Sequence, residues 1–388
     1  MNGQAQSVIP VKLSDSYALI TGGCGFIGTN LADRLLRDGH RVLVFDDLSR
    51  PGVERNLEWL RETYGDRLLV RVADTRDASA VRDAVRRASH VFHLAAQVAV
   101  TTSLADPVTD FEINTIGTLN VLEAIRHSTH RPPLLFTSTN KVYGTLGDVA
   151  LEEEEARYAP SSPEIRSHGV SEERHLDFHS PYGCSKGAAD QYVIDYSRSY
   201  GIRAVVFRMS CIYGPHQFGT EDQGWVAHFL IRALDHEPIT IYGDGKQVRD
   251  ILYVEDLIDA FLQASANIER CSGQAFNIGG GVHSTISLRE LLEVIGDLEG
   301  RRIAVIRSDW RSGDQRYYVS DTRRFGSLTG WQPSVGVNEG IRRLREWLIT
   351  SRIPAVLQLA GERPVATTTR RAVRDSADVQ VATVPMVE

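Results

Sequence analysis

The sequence predicts an α/β fold in which a parallel sheet is covered by helices. Short apolar runs alternate with amphipathic segments of helix length through residue 207. A glycine-rich turn, Gly22-Gly23-Cys24-Gly25-Phe26-Ile27-Gly28, directly follows the first apolar run. Alternation of strands and helices favours parallel pairing, because a crossover helix returns the chain to the end of the sheet where the next strand begins.

Six apolar runs are predicted to be buried strands, and five amphipathic segments, with apolar residues recurring about every 3.6 positions, are predicted to be helices. The strands are 17–21, 41–45, 68–72, 90–94, 134–137 and 204–207. The helices are 26–38, 56–64, 78–87, 109–126 and 182–200, with Gly39 and Gly201 as helix stops.

The second half of the chain is less regular, and three parts are predicted. Residues 14–207 form the first domain, 208–349 mainly form a smaller C-terminal lobe from which some segments return to the first domain, and 350–388 form a largely disordered tail. The segment Tyr242–Lys246 is hairpin-like. Residues 151–178 are expected to be an irregular exposed loop, and their acidic run Glu152–Glu155 a solvated surface rather than a metal site.

Bulk composition excludes several classes of protein. The 388 residues are 42% hydrophobic, enough to bury a large core, and carry a formal net charge of −7. This acidic balance argues against nucleic-acid binding. No apolar run approaches membrane length, and residues 1–15 lack a charged segment followed by an apolar one, so we expect a cytoplasmic protein that does not bind membranes. The four cysteines are widely spaced, which predicts free thiols and no structural metal.

The glycine-rich turn predicts a dinucleotide site. Gly22, Gly25 and Gly28 would give a tight turn, close approach of the backbone to a pyrophosphate, and packing of the helix on the sheet, with the helix N-terminus facing the phosphates. Asp46 follows the second strand about 20 residues on, where the fingerprint requires an acid for the ribose hydroxyls. Asp47 adds negative charge, which favours NAD, although Arg50 leaves NADP open. These features make the sheet a doubly wound one of Rossmann type.

Tyr182 and Lys186 are the candidate catalytic pair. Four residues apart on one helix, they share a face, so the lysine cation can lie near the phenol. A phenol has a pKa of about 10, and a base near pH 7 needs a pKa about three units lower. A lysine cation and an oxidised nicotinamide both lower it. The chain has only four lysines among many arginines, which hints that a compact charge is needed at position 186.

Several further motifs resemble those of one family. They are His93-Leu94-Ala95-Ala96, Asn114-x-x-Gly117-Thr118, Thr137-Ser138-Thr139 before Val142-Tyr143-Gly144, Tyr213-Gly214-Pro215, Arg249-Asp250-Ile251-Leu252-Tyr253-Val254 and Asn277-Ile278-Gly279-Gly280. With the glycine turn and Tyr182-x-x-x-Lys186, they resemble the extended short-chain dehydrogenases/reductases that act on nucleotide sugars. The resemblance covers about residues 15–349. Segments 139–144, 177–192 and 222–226 resemble, more narrowly, the epimerases of CDP-3,6-dideoxyhexoses.

The resemblance implies a role for each matching residue. Tyr182 is the general base, Lys186 tunes it and binds the nicotinamide ribose, and Thr139 hydrogen-bonds the reacting sugar oxygen. Arg249 and Arg311 hold the diphosphate, the alternative for each being a surface ion pair. Further cofactor contacts are assigned to Phe26, Ile27, Thr75, Leu94 and Ala95, and Tyr182, like Lys186, contacts the cofactor. Asp74, at the end of the third predicted strand, is placed to meet the adenine edge. Further substrate contacts are assigned to Gln97, Thr102 and Asn140.

Two positions depart from relatives or support the site from outside it. Cys211 stands where many relatives have an asparagine, so one amide contact with the substrate phosphate is in doubt. Asn114 is interpreted as a helix residue that supports the site.

The residues after Thr139 guide the choice of reaction. Relatives that carry out 4,6-dehydration have acidic residues there, whereas this chain has Asn140 and Lys141, so dehydration is disfavoured. The resemblance implies NAD-dependent inversion at C2 of a CDP-3,6-dideoxyhexose. The alternatives are C4 epimerisation of another nucleotide sugar, of the UDP-glucose type, and a non-catalytic Rossmann protein. Because helices 109–126 and 182–200 pair subunits in relatives, a homodimer or homotetramer is expected.

Overall fold

The sheet predicted from the apolar runs is present and has seven strands. The computed structural model describes residues 16–311 and 313–361. Its strands are β1 (Tyr17–Thr21), β2 (Val42–Asp46), β3 (Leu68–Val72), β4 (Ala88–His93), β5 (Leu134–Thr139), β6 (Leu151–Glu153), β7 (Tyr158–Pro160), β8 (Ala204–Met209), β9 (Cys211–Tyr213), β10 (Ile239–Tyr242), β11 (Val248–Tyr253), β12 (Gln274–Ile278), β13 (Thr285–Ser287), β14 (Val305–Ser308) and β15 (Tyr317–Tyr318).

The α-helices cover the sheet and build the second half of the molecule. They are α1 (Phe26–Arg37), α2 (Val53–Tyr64), α3 (Ala78–Val85), α4 (Val100–Ala105), α5 (Pro107–Phe111), α6 (Gly117–His127), α7 (Pro163–His168), α8 (Ser180–Tyr200), α9 (Trp225–Leu234), α10 (Val254–Ala266), α11 (Ile268–Cys271), α12 (Leu288–Glu299), α13 (Arg323–Thr329) and α14 (Val337–Gly361).

The central sheet has the strand order β12-β8-β5-β4-β1-β2-β3, and every neighbouring pair is parallel. The chain winds outward from β1 in both directions, so the doubly wound Rossmann-type sheet is confirmed. All six predicted strands exist, with ends that shift by no more than a few residues. The seventh strand, β12, comes from the second half of the chain.

Helices pack on both faces of this sheet, as the apolar stripes predict. One face buries Leu35 of α1, Leu57 of α2 and Phe261 of α10. The other buries Val81 of α3, Val121 of α6 and Val193 of α8. Each such side chain contributes about 1.5–3 kcal/mol through the area it removes from water. Successive side chains of each strand therefore point into one core and then the other, and both faces of β1, β4 and β5 are buried.

The predicted helix over 109–126 is interrupted. Helix α5 ends at Phe111, residues Glu112–Ile116 form one turn of π-helix, and α6 begins at Gly117. A π turn adds a residue to the helical repeat and rotates the side chains that follow it. The sequence pattern does not reveal this insertion, which turns Asn114 and Thr115 inward, where both are buried.

Two predictions about irregular regions were wrong. The strands flanking Tyr242–Lys246 do not pair with each other: β10 pairs with β14, and β11 pairs with β9, β13 and β15. Residues 151–178 are not wholly irregular, since β6 and β7 form an antiparallel pair and α7 follows them. The acidic run 152–155 is exposed, as expected.

Among the described residues, 16–311 and 313–348 belong to one compact unit and 349–361 to a second. The predicted boundary near residue 207 falls inside the first unit. Helix α14 continues to Gly361, so residues 350–361, the first part of the predicted disordered tail, are helical. The rest of that tail and residues 1–15 lie outside the described residues. Among the described helices, none combines the length and the apolar character needed to cross a membrane.

Candidate active site

The glycine turn joins β1 to α1 and needs glycine for steric reasons. Gly22 has a φ of 67°, and a Cβ on it would lie 2.7 Å from the backbone nitrogen of Ala95. A Cβ on Gly28 would lie 2.2 Å from the carbonyl oxygen of Gly22. At Gly25 the nearest atom to such a Cβ, the Gly22 oxygen, is 3.2 Å away, and the space beyond is open. The turn therefore leaves room for a ligand above Gly25 while packing tightly below it.

The N-terminus of α1 faces this space with unbonded donors. Gly25 is the N-cap and has no side chain to cap the helix, and the first intrahelical bond runs from Thr29 to Gly25. The amides of Phe26, Ile27 and Gly28 are the donors that a helix start leaves without an internal partner. Such a helix start binds a phosphate group well, so these residues fit the pyrophosphate of a dinucleotide.

Asp46 ends β2 beside the turn and is fixed by two backbone amides. Its carboxylate accepts hydrogen bonds from the backbone of Cys24 (2.9 Å) and of Leu48 (2.9 Å). Burial raises the pKa of Asp46, and these two bonds oppose that rise. Each carboxylate oxygen has capacity for a further donor, so the residue can receive ribose hydroxyls as predicted. The nearby Arg50 guanidinium donates to the side chain of Gln223, and burial lowers the pKa of Arg50.

Four other predicted cofactor residues lie at the same edge of the sheet. The Leu94 amide donates to the Thr21 carbonyl (3.1 Å), and the Ala95 amide to the Thr21 hydroxyl (3.3 Å). Thr75 is buried against Gly117, and its carbonyl accepts from Asn120 (3.0 Å). Asp74, which was assigned to the adenine edge, already has a partner within the protein. Its carboxylate accepts a hydrogen bond from the Arg76 guanidinium (2.7 Å).

Helix α8 carries Tyr182 and Lys186 into the interior next to the carboxyl end of β5. Proline near its first turn and Gly201 at its C-cap, with a φ of 66°, set its two ends. The Tyr182 amide donates to the Ser103 hydroxyl of α4 (3.1 Å), which anchors the start of α8. Tyr182 and Lys186 are 8% and 3% exposed, so both polar groups sit in a low-dielectric environment.

The protein alone shifts both pKa values against the charged forms. Burial raises the pKa of Tyr182 to about 12, and a side-chain hydrogen bond with Thr139 opposes this. Burial lowers the pKa of Lys186 to about 7, and the carboxylates of Asp190 and Asp110 oppose that. The lowered phenol pKa that the sequence predicts is therefore not a property of the protein alone. For Tyr182 the Asp110 carboxylate adds to desolvation and only the Thr139 hydrogen bond opposes it, so the phenol needs a nearby cation in order to ionise.

Three groups surround Lys186: an aromatic ring, a carboxylate that is paired with an arginine, and a neutral histidine. Its ammonium lies 4.3 Å from the centre of the Phe136 ring, a favourable cation–π distance. Asp190 lies one helical turn further along α8, and its carboxylate forms a two-point ion pair with Arg208 at 2.9 Å. His93, fully buried, has a pKa lowered to about 3 by burial first and by Lys186 second, so it is neutral.

Thr139 lies at the end of β5, where the structure brings it together with Tyr182. Its hydroxyl accepts from the Lys141 amide (3.2 Å) and donates to Asn140 (3.3 Å). Asn140 is buried and donates to Gln315 (3.4 Å). Tyr182, Lys186 and Thr139 therefore form one constellation at the carboxyl edge of the sheet, where ligands bind in open α/β proteins.

Two further predicted substrate residues are Gln97, whose side chain is bonded to nearby backbone, and Thr102, which is exposed. The Gln97 amide bonds locally to the Ala99 backbone, donating at 2.8 Å and accepting at 2.7 Å. Thr102 is exposed on α4. Asn114 was interpreted as structural. Its side chain donates to the Gln97 carbonyl (3.1 Å) and accepts from the Gln97 backbone amide (2.9 Å). It also donates to the Ser185 hydroxyl (3.0 Å), so it links α8 to the segment that contains Gln97.

Both predicted diphosphate arginines take part in ion pairs. Arg249 is buried and bonds to Asp314 (2.8 Å) and to the Val248 carbonyl (2.8 Å). Arg311 pairs with the carboxylates of Glu221 and Asp222 at 3.6 Å each and donates to the Glu221 carbonyl (3.0 Å). Its guanidinium carbon lies 3.8 Å from the centre of the Tyr242 ring. Cys211, at the position of the relatives' asparagine, accepts from the Trp225 indole (3.3 Å).

The sequence analysis did not assign Lys141 or residues 313–315 to the site, although hydrogen bonds join them to each other and to the segment after β5. Lys141 donates to the Gly313 carbonyl (3.2 Å), and Gln315 donates to the Gly144 carbonyl (2.6 Å). Burial lowers the pKa of Lys141 to about 8, and Arg249 acts in the same direction. The signal for Lys141 was available, since it is one of the few lysines in the chain; residues 313–315 carry no local motif.

The geometry described so far is that of an enzyme of the extended short-chain dehydrogenase/reductase type. Residues 18–279 match the NAD dependent epimerase/dehydratase family, and the chain belongs to that family. The resemblance inferred from the motifs is thereby confirmed.

Individual relatives narrow this class. The chain is 44% identical over 336 residues to the CDP-paratose 2-epimerase of Salmonella typhi, covering 85% of this chain and 98% of that protein. It is 34% identical over 330 residues to the UDP-glucose 4-epimerase of Mycolicibacterium smegmatis, covering 85% and 97%. Among solved structures, the UDP-glucose 4-epimerase of Thermus thermophilus in complex with NAD superimposes with a TM-score of 0.70 at 32% identity, covering 86% of this chain and 99% of that one.

Proposed function

We propose that the chain is an NAD-dependent nucleotide-sugar epimerase that inverts C2 of a CDP-3,6-dideoxyhexose, converting CDP-paratose to CDP-tyvelose. The observation that carries the assignment as an epimerase is the constellation of Tyr182, Lys186 and Thr139 near the glycine turn, which serves inversion at C2 and at C4 alike. The similarity to the CDP-paratose 2-epimerase of Salmonella typhi supports the choice of sugar and nucleotide.

The cofactor would be held by residues of the first domain. The amides of Phe26, Ile27 and Gly28 bind the pyrophosphate, and Asp46 accepts the ribose hydroxyls. The carboxylate of Asp46 favours NAD, because it would repel a 2′-phosphate. The solved relative from Thermus thermophilus, in complex with NAD, supports this assignment.

Each protein group has one task in the reaction. When bound, NAD would supply the acceptor for the C2 hydride and the donor that returns it to the opposite face of the sugar. Tyr182 takes the proton of the C2 hydroxyl as that hydride leaves, and gives the same proton back to the carbonyl oxygen when the hydride returns. Lys186 stabilises the phenolate by its charge, and Thr139 hydrogen-bonds the reacting oxygen. Atoms balance over the cycle, so NAD undergoes no net consumption.

The raised pKa of Tyr182 fits this order of events. Since burial raises that pKa to about 12 in the protein alone, the phenol is neutral at pH 7 until a second cation is near. An oxidised nicotinamide carries such a charge, and together with Lys186 it lowers the phenol pKa when the cofactor is bound. The base would therefore be activated by the oxidised cofactor.

The second candidate is epimerisation at C4 of another nucleotide sugar. It uses the same three residues, and the UDP-glucose 4-epimerase of Mycolicibacterium smegmatis supports it more weakly. A 4,6-dehydratase is disfavoured because neither Asn140 nor Lys141 carries the carboxyl group that relatives performing dehydration have at these positions. A non-catalytic protein is disfavoured because Tyr182, Lys186 and the three glycines are all present.

Assembly into a homodimer or homotetramer, in the cytoplasm, is part of the proposal. Leu104 on α4, Val108 and Phe111 on α5 and Tyr192 on α8 are each 45–66% exposed. These neighbouring helices thus present apolar side chains to solvent, as expected of a face that a second copy covers.

The proposal is tested with a CDP-3,6-dideoxyhexose that carries deuterium at C2. Purified protein and NAD are incubated with this sugar, and proton NMR follows the epimer and the label. Conversion with deuterium retained at C2 is expected, because the hydride returns from the same cofactor. No conversion of this sugar, together with C4 epimerisation of UDP-glucose, would overturn the C2 assignment in favour of the second candidate.

A further inference from the structure

A buried carboxylate that the proposed reaction does not use lies against the catalytic helix. Asp110, on the short helix α5, is 1% exposed. It accepts a hydrogen bond from the hydroxyl of Ser185, the residue immediately before Lys186. It also accepts one from the Asn114 amide at 3.2 Å. A buried carboxylate is costly unless it is bonded, and these two donors account for its place in the fold.

Further bonds fix the position of this carboxylate relative to the catalytic pair. The Ser185 hydroxyl lies 3.2 Å from the Tyr182 carbonyl oxygen, within the same turn of α8. The Asn114 amide donates to the Ser185 hydroxyl at 3.0 Å, and the Thr115 hydroxyl donates to the Ser185 carbonyl at 3.0 Å. The π turn that carries Asn114 and Thr115 therefore locks Asp110 beside the turn from Tyr182 to Lys186.

Other charged groups around the pair are balanced or neutral. Asp190 shares its charge with Arg208, and His93 on β4 is neutral. Within the described part of the chain, no lysine or arginine forms an ion pair with Asp110. Asp110 therefore has no ion-pair partner there; burial raises its pKa, and the hydrogen bond from Ser185 and the charge of Lys186 both oppose that rise.

We propose that Asp110 is a positioning residue that holds α8 through Ser185 and places a fixed negative charge beside the Tyr182–Lys186 pair. It sets the pH range in which the pair works, a role that rests on the proposed function for its activity readout. A residue on another helix thus determines when the base and its partner lysine are correctly protonated.

The direction of the effect follows from the sign of the charge. The Asp110 carboxylate raises the pKa of Tyr182 and, opposing burial, also raises the pKa of Lys186. Neutralising Asp110 lowers both pKa values. If activity needs ionised Tyr182 and protonated Lys186, both the acid and the alkaline limbs of the pH profile move to lower pH. A carboxylate that merely supported folding would change the rate without moving the limbs.

The decisive experiment measures the Lys186 pKa directly and needs no substrate. Because the chain has only four lysines, protein grown with lysine labelled with 13C at Cε gives few signals, and a Lys186→Met variant assigns the relevant one. In Asp110→Asn, which keeps the shape of the side chain, the Lys186 signal is expected to titrate about one pH unit lower than in the parent protein. An unchanged midpoint would overturn the proposal.

Two control variants separate charge from structure. Asp106→Asn makes the same chemical change at the exposed N-cap of the same helix, where asparagine also caps, and should leave the midpoint unchanged. Asp110→Glu retains the charge and should restore a midpoint near that of the parent. If Asp110→Asn does not fold, Asp110→Ser offers a smaller neutral side chain that can still bond to Ser185, and it must show the same shift.

A second experiment measures the pH dependence of epimerisation, independently of the Lys186 titration. The pH dependence of epimerisation should move to lower pH in Asp110→Asn, on both limbs, and not in Asp106→Asn. A shifted Lys186 signal in a protein whose parent fails to epimerise the CDP sugar would leave the Asp110 assignment intact and overturn the proposed function instead. A pH profile that stays in place despite activity would contradict the role proposed for Asp110.

Discussion

At Tyr182 a single oxygen separates tyrosine from phenylalanine, so Tyr182→Phe removes the titrating group and little else. We expect epimerisation to fall about 10²- to 10⁴-fold, the usual contribution of a general acid–base group. Bound NAD, released by denaturation and quantified, should stay at the parent level. Tyr192→Phe changes an exposed tyrosine of the same helix and should retain full activity. Full activity in Tyr182→Phe would remove this residue from the role of base.

The assignment of Asp46 as the acceptor of the ribose hydroxyls of NAD can be tested directly. Asp46→Ala deletes the acceptor for the ribose hydroxyls and frees the amides of Cys24 and Leu48, so NAD should bind about 10- to 100-fold more weakly, as for lost bonds to a charged group. Isothermal titration of cofactor-free protein measures this. Asp47→Ala, at the exposed neighbour, is the matched control and should bind NAD normally. Equal affinities in the two variants would exclude Asp46 from the site.

The placement of Tyr182 and Lys186 relative to each other could be predicted from the sequence, whereas their surroundings could not. Tyr182 and Lys186 follow from spacing on one helix, a local rule that needs no tertiary structure. Ser103, which anchors Tyr182, is 79 residues away, and Asp110 is 75 residues from Ser185. Neither has a motif of its own. The direction of the Tyr182 pKa shift was also not predictable, because it depends on how deeply the fold buries the phenol.

At the scale of elements, the buried pair of Asp190 and Arg208 joins α8 to β8. Asp190→Asn keeps the shape but leaves the guanidinium buried without its counter-charge, which costs about 3–5 kcal/mol in the free energy of unfolding. Urea denaturation followed by circular dichroism measures this. Asp195→Asn, at an exposed position of the same helix, should change stability by less than about 0.5 kcal/mol. Comparable stability of the two variants would mean that the pair does not hold these elements together.

Elements with a strong local signal were predicted, and elements that depend on distant partners were not. Strands β1 and β3 begin and end as their apolar runs indicate, and Gly201 ends α8. The hairpin expected at Tyr242–Lys246 is absent because β10 instead pairs with β14, a strand far along the chain, from Ile239↔Val305 onward. A turn-like sequence fixes the reversal of the chain but not which strands pair after it.

At the scale of the whole molecule, the apolar side chains on α4, α5 and α8 predict self-association. Phe111→Glu places a charge in the middle of this face and should shift the assembly toward monomer, as measured by light scattering on a sizing column. Val305→Glu makes an equivalent change on the exposed strand β14 and should leave the assembly intact. A parent protein that is already monomeric, or a variant that assembles as the parent does, would contradict the predicted interface.

The uncapped start of α1 links the stability of the protein, and hence its abundance in the cell, to the supply of cofactor. Three amides there have no partner inside the helix, and a dinucleotide supplies one only in the folded state. Binding is then thermodynamically linked to folding: a ligand present at about a hundred times its dissociation constant adds about 2.7 kcal/mol to the free energy of unfolding. Depletion of the nucleotide pool would lower the resistance of the chain to proteases before any change in its active site, so its abundance would follow the supply of its own cofactor.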